Sequence, residues 1–165
     1  MKNLLTLIFI LFLTQPMAAQ KFERSVGLRY GGSNGIFFDV LNEDLSTYRF
    51  MLTWREEGRQ VTAMKYYQHY KSDKIPKYLS FYYGFGAHAG YVKWVQYKQD
   101  IEHGYYWEDV TSPALGLDGL IGLSYDFERA PVSLLCEVKP YFDIWGKKIF
   151  NPVIFDFGIC AVYHF

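Results

Sequence analysis

The 165-residue chain carries 17 basic and 17 acidic side chains, so its formal charge is zero, and no basic stripe points to nucleic acid. Its 15 Tyr, 14 Phe and 4 Trp exceed what a small soluble core requires, yet no apolar run after Leu13 is long enough for a membrane-spanning helix. An aromatic-rich chain without long apolar runs fits a β-barrel, whose apolar side is spread over alternate residues.

Residues 1–19 hold one cation (Lys2), an apolar stretch from Leu4 to Leu13, and small residues before Gln20. This layout predicts a secretory signal peptide cut after Ala19, leaving 20–165 as a single barrel domain. The apolar stretch is about half the roughly 20 residues that an anchoring helix needs. Export would bring Cys136 and Cys160 into an oxidising compartment. The alternation sets them on opposite faces of the sheet, which predicts two free thiols.

From Phe22 to Tyr30, Val26, Leu28 and Tyr30 alternate with Ser25, Gly27 and Arg29, and 31–35 is a glycine-rich turn. A second strand, 36–41, sets Ile36, Phe38 and Val40 against Asp39, and the chain turns at 42–45. Over 45–55, Tyr48, Phe50, Leu52 and Trp54 oppose Arg49, Met51, Thr53 and Arg55, with a hairpin loop at 56–59. The strand 60–70 is less regular. Lys65 and His69 on one side set Met64 and Tyr66 on the outward side. Pro76 breaks the pattern at 71–77.

The strand 77–94 carries Leu79, Phe81, Tyr83, Phe85, Ala87, Ala89 and Tyr91 on one face, against Ser80, Gly84, Gly86, His88 and Gly90. Alternation is lost between Gln96 and Pro113, so 95–114 reads as a long loop. It returns at 115–127 and, after a turn at 128–131, over 132–142, where Val132, Leu134, Cys136 and Val138 oppose Ser133, Glu137 and Lys139. A loop at 143–152 leads to the last strand. There Val153, Phe155, Phe157, Ile159, Ala161, Tyr163 and Phe165 are apolar, and Asp156, Gly158 and His164 lie between them.

These eight segments predict an all-β, eight-stranded antiparallel up-and-down transmembrane β-barrel. An even count puts both termini on one side, with the turns at 42–45, 71–77 and 128–131; the loops at 31–35, 56–59, 95–114 and 143–152 share the other. Aromatics near strand ends, among them Tyr30, Tyr48, Trp54, Trp94, Tyr141, Trp145 and Phe165, fall where interfacial girdles belong.

The mixed face holds Arg29, Asp39, Arg49, Lys65, His88, Asp118, Asp126, Glu137, Lys139 and Asp156. A solvated outer surface could carry the same charges, but the glycines of that face separate the two readings. Outside, they would only weaken strands; inside an eight-stranded barrel they make room for side chains from the opposite wall. The expected arrangement is therefore a polar network in a plugged interior, with Asp118 diagonally across from Lys139. Buried charges must be paired or hydrogen-bonded.

Chemistry is sparse. The four histidines form no metal spacing, Ser80 and Ser124 lack a nucleophile elbow, and no catalytic residue, metal or cofactor is implied. His88, between glycines, is the first candidate for a general base. In the 95–114 loop, Tyr97, Tyr105, Tyr106 and Trp107 are candidates for binding a surface partner. The carboxylates there match no EF-hand spacing.

Phe81-Tyr-Tyr-Gly-Phe-Gly-Ala-His88 followed by Gly90, then Gly119-Leu-Ile-Gly-Leu-Ser-Tyr-Asp-Phe127, Pro131-Val132 and Lys139-Pro140, resembles the small outer-membrane β-barrel proteins of Bacteroidota. These are similar in architecture to the OmpA transmembrane domain and to OmpX. The last strand, ending on Phe165, resembles the closing strand of bacterial outer-membrane barrels, where it is the assembly signal. The resemblance implies residence in the outer membrane of a Gram-negative bacterium, contact with its lipid, and engagement of the assembly machinery through the C-terminal strand. It marks no catalytic residue; the structural or surface-interaction role, through an extracellular partner of loop 95–114, is read from the aromatics of that loop. The alternatives are a lipid-modifying enzyme using His88, a soluble lipocalin-like ligand-binding barrel, and a narrow channel.

Overall fold

The computed structural model describes residues 24–55, 58–69, 78–100, 104–146 and 151–165. The expected signal peptide and the turn at 71–77 lie outside the described residues. The strands are β1 (Arg24–Gly31), β2 (Asn34–Leu41), β3 (Ser46–Arg55), β4 (Gly58–His69), β5 (Leu79–Asp100), β6 (Gly104–Asp126), β7 (Val132–Val138), β8 (Tyr141–Trp145), β9 (Asn151–Val153) and β10 (Phe157–His164).

Eight of them close a ring, β1-β2-β3-β4-β5-β6-β7-β10 and back to β1, with every neighbour antiparallel. The closing pair runs from Ser25↔His164 to Gly31↔Gly158. The fold is thus a closed eight-stranded antiparallel β-barrel with two short strands beyond the ring. β8 takes over from β7 along β6, pairing with Leu115–Asp118, and β9 pairs with β8.

The two extra strands come from breaks in two expected strands, 132–142 and 152–165. Pro140 has no N–H for the ladder, so β7 stops and β8 begins beyond it. Residues 154–156 leave the ladder between β9 and β10 where Asp156 turns into the barrel, 3 % exposed. The wall holds across the break because Gly119 N donates to Pro140 O (2.7 Å) and Lys139 N to Asp156 O (2.9 Å). β8 and β9 form a hairpin inside the expected 143–152 loop.

Polarity is inverted relative to a water-soluble barrel. Phe81, Leu123 and Phe157 are 42 %, 45 % and 48 % exposed, while Arg49 and Glu137 are 0 % and 1 % exposed. Strand periodicity explains the arrangement: in β1, Val26, Leu28 and Tyr30 point out while Ser25, Gly27 and Arg29 point in. A small apolar cluster inside, including Phe37, Met51, Met64 and Leu120, lines the space between the ions. Cys136 is exposed, Cys160 is buried, and both are free thiols.

Three expectations are corrected. In β4 the faces are the reverse of those expected: Met64 and Tyr66 are buried, and Lys65 is on the outer side. Lys65 can lie outward because it reaches the terminal rim, where its Nζ meets Asp44 Oδ2 at 3.1 Å between the rings of Tyr48 and Tyr67. The stretch 95–114 is not a loop. β5 and β6 keep one register from Leu79↔Tyr125 to Asp100↔Gly104. Lastly, Tyr141 belongs to no outer girdle, since its ring packs edge-on to His88 (5.9 Å) and under the Arg55 guanidinium (3.7 Å).

The arm has a simple geometric origin. β4 accompanies β5 only as far as Gly58↔Val92, and β8 accompanies β6 only from Trp145↔Leu115. Beyond those pairs, residues 93–100 and 104–114 pair only with each other among the described residues. About eight residues per strand project past the ring, roughly 25 Å at strand rise.

Candidate functional site

The buried ions form one continuous chain of alternating sign. Asp39 on β2 takes Arg49 of β3 in a bidentate contact, Nε–Oδ1 and Nη2–Oδ2 both 2.8 Å. Arg49 Nη1 reaches Glu137 Oε2 of β7 (2.9 Å), and Glu137 Oε1 accepts from Arg29 Nε of β1 (2.8 Å). Arg29 Nη2 donates to Asp156 Oδ1 (3.1 Å), and Lys139 Nζ lies 3.8 Å from Asp156 Oδ2. Lys139 donates to Asp118 Oδ1 of β6 (2.8 Å). Asp118 Oδ2 is 2.7 Å from His88 Nδ1 of β5, and His88 Nε2 is 2.9 Å from Asp143 Oδ1 of β8.

Each charge is therefore flanked by its opposite, the condition under which ions survive burial. Neutral groups complete the coordination. Tyr66 donates to Asp39 Oδ2 (2.9 Å), Tyr82 to Glu137 Oε2 (2.8 Å), and the Arg49 guanidinium stacks over Phe37 at 3.8 Å. Ser33, in the tight β1–β2 turn, gives Asp156 both its N–H (2.9 Å) and its hydroxyl (2.6 Å). Arg29 Nη1 donates to the Ser33 carbonyl and hydroxyl.

Glycines supply the room. A Cβ on Gly116 would sit 2.5 Å from His88 Cε1, one on Gly158 2.7 Å from Arg29 Cζ, and one on Gly122 2.5 Å from the Tyr82 hydroxyl. At Gly122 and Gly158 the nearest atoms belong to side chains that cross the barrel; at Gly116 the Phe142 carbonyl of β8 is nearer still.

The His88 cluster has a definite proton count. Both ring nitrogens face carboxylate oxygens, and a neutral imidazole donates from one nitrogen only. Either the imidazole carries both protons or one carboxyl keeps its own, so the trio holds one proton more than a neutral histidine and two carboxylates. With Lys139 also on Asp118, this end of the chain is an ion-paired knot around a buried His88, 4 % exposed.

Of the ten expected network residues, Arg29, Asp39, Arg49, His88, Asp118, Glu137, Lys139 and Asp156 belong to this chain. Lys65 is outside, as above. Asp126 lies apart at the terminal end, accepting from Ser124 (2.9 Å) and Ser133 (2.6 Å). Four members are not among the expected ones. Asp143 sits in a stretch expected as loop, Ser33 in one expected as a turn; Tyr66 faces opposite to expectation; Tyr82, on the inner face between Ser80 and Gly84, carries no sequence signal of its own. For Asp143 the available signal is Gly116, its cross-strand partner, whose missing side chain marks a crowded inner position.

Neither Ser80 nor Ser124 contacts His88: Ser80 accepts from Gln68 Nε2 (2.6 Å) and Ser124 donates to Asp126. The serine–histidine contact that does form is Ser133 Oγ with His164 Nε2 (2.7 Å), beside a cavity of about 480 Å³ at the terminal mouth. Here the hydroxyl lies between imidazole and carboxylate. Ser133 has a single proton; when it goes to Asp126, His164 Nε2 must donate to Ser133, so the imidazole is no base toward that hydroxyl.

On the arm, Tyr97 and Trp107 are exposed cross-strand partners with ring centroids 4.8 Å apart. The side chains of Tyr105 and Tyr106 lie outside the described residues. Phe165 follows β10, exposed, with its N–H on Arg24 O (3.0 Å) and its ring 6.3 Å from Phe38. Among the described residues no cluster of ligating side chains fits a metal ion. No protein-family model matches the chain, and no curated protein matches it.

Proposed function

We propose that the protein is an integral outer-membrane β-barrel whose interior is plugged by the ionic chain and whose arm meets partners outside the cell. The observation that carries this reading is the inverted polarity. Large apolar side chains cover the outside of a closed ring, and the charges are inside. Water would penalise such an exterior, since soluble monomers rarely expose apolar patches beyond a few hundred Å². Hydrocarbon favours it and, in addition, demands that every backbone group of the wall be paired, which a closed ring provides.

The same chain of ions argues against the alternatives. A ligand-carrying soluble barrel needs an apolar or open centre, and this one is crossed by side chains on both halves. A conducting pathway would have to part ion pairs that are several kcal/mol costly to break. For the arm, interaction is the reading favoured by its two unaccompanied strand edges and the exposed Tyr97–Trp107 pair. β10 with Phe165, laid along β1, is the segment through which assembly machinery would take hold.

The test is electrophoretic. Membranes from cells expressing the full chain are extracted with detergent and run with and without boiling. A pellet-bound band that migrates faster unboiled supports the reading. A protein recovered in the soluble fraction, with no shift on boiling, contradicts it.

A further inference from the structure

We infer that the outer face of β3–β4–β5 at the arm end is a binding site for a lipid with a phosphorylated headgroup, phosphate uppermost and acyl chain along the wall. The inference rests on the membrane reading above, which makes this face lipid-exposed.

Two independent features coincide there. The first is charge. Arg59 and Lys93 both point outward at this rim, and neither has a carboxylate partner among the described residues. Asp109 and Thr111 of β6 share the face, opposite Val95 and Lys93. The contrast is Lys65, on the same strand as Arg59 but at the other rim, which is satisfied by Asp44. Between the two cations lies Tyr91, whose ring the Lys93 ammonium overlies at 5.6 Å, and with Trp54 they line a cleft of about 590 Å³. Arg55 lines the same cleft from the inner side, stacked on Tyr141, its Nε and Nη2 without a hydrogen-bond partner among the described residues.

The second feature is shape, read from register. The topmost outward row runs Trp54–Arg59–Tyr91–Pro113 across β3 to β6. Beneath it come Leu52–Val61–Ala89–Leu115, then Phe50–Ala63–Ala87–Leu117, then Tyr48–Lys65–Phe85–Gly119. In the two middle rows β4 and β5 carry three alanines (Ala63, Ala87, Ala89) and Val61, while the flanking Leu52, Phe50, Leu115 and Leu117 are larger. They form a trough about 10 Å across, two strand spacings, directly below the cations and closed at the bottom by Phe85. A free phosphate would use the cations and ignore the trough; a phosphorylated lipid uses both. Basic side chains at a bilayer surface attract such headgroups, and the apolar trough fixes the chain.

The experiment is native mass spectrometry of the detergent-purified full barrel with lipid A, dephosphorylated lipid A and phosphatidylcholine as probes. The wild-type protein should retain lipid A and release the other two at the same activation energy. Arg59→Gln with Lys93→Gln should weaken lipid A retention roughly thirtyfold, the scale of two interfacial cations at about 1 kcal/mol each. Ala87→Phe, which fills the trough, should weaken it as well, and Lys65→Gln should not. Equal retention of lipid A and its dephosphorylated form overturns the site and needs no variant. So does displacement of lipid A by millimolar inorganic phosphate. A heat-modifiability gel on each variant establishes that it folds. A water-soluble wild-type protein would defeat the membrane reading itself, whereas a detergent-extracted barrel indifferent to lipid phosphate defeats the site alone.

Discussion

β5 and β6 run through two environments, and the halves differ in one respect only. Inside the ring, from Leu79 to Val92 and from Leu115 to Asp126, each strand has a neighbour on both sides and two unlike faces. Past it, among the described residues, the same two strands have only each other, and the period of two vanishes from the sequence while the ladder continues to Asp100↔Gly104. Alternation therefore records that a strand separates two media, not that it is a strand. Tyr97, Trp107, Val95 and Thr111 are good strand residues whichever way they point. The barrel half is rigidly specified by what lies on its two sides, and the arm is specified by little beyond strand propensity and its cross-strand pairs.

The largest expected effect breaks the barrel half and spares the arm. Glu137→Gln leaves Arg29 and Arg49 with one ionic partner fewer each and should cost about 3 to 5 kcal/mol, read as a lower urea midpoint for the barrel in vesicles. Joining Trp94 to Val110 through an Asn-Gly turn removes the arm and should leave that midpoint unchanged. A shift of comparable size in the two variants would mean that arm and wall are one cooperative unit. Next, Gly116→Val drives a side chain into the His88 ring and should cost about 1 to 3 kcal/mol in the same assay.

Smaller still, Trp107→Ala deletes one of the aromatic pair on the arm. It should change barrel stability by less than about 0.5 kcal/mol and lower the thermal midpoint of protease resistance of the arm alone. The smallest effect is at the terminal rim. The Asp44 carboxyl, in the β2–β3 turn, is held well below the usual carboxylate range by the Ser46 hydroxyl and N–H, then by Lys65. A depressed carboxyl contributes stability that is present above the unfolded value, about 4, and fades as the pH falls through the folded value. Asp44→Ala should therefore lower the unfolding midpoint slightly at pH 6, and the difference from the wild type should shrink as the pH falls below about 4, as checked by a pH series of urea titrations.

The same distinction explains what could be read from the sequence. The barrel, the inward placement of nine of ten network residues and the Asp118–Lys139 contact are legible, because each rests on two-sided strands and on glycines opposite large polar groups. β4 was misread because Lys65 and His69 suggested a polar inner face, whereas length lets Lys65 reach the rim from outside. Asp143 was missed because Pro140 interrupts the strand pattern just before it. The breaks at 139–140 and 154–156 were invisible because the ions that occupy them, Lys139 and Asp156, keep the alternation unbroken.

The central claim is that lipid hydrocarbon touches Phe81, Leu123 and Phe157. It is tested most directly by placing nitroxide spin labels at Phe81→Cys, Leu123→Cys and Phe157→Cys, with Cys136 and Cys160 replaced by alanine, in reconstituted vesicles. Collision with oxygen should be frequent and collision with a water-soluble nickel chelate rare at all three sites. Labels that meet the nickel chelate freely, or that meet neither reagent, would contradict the account.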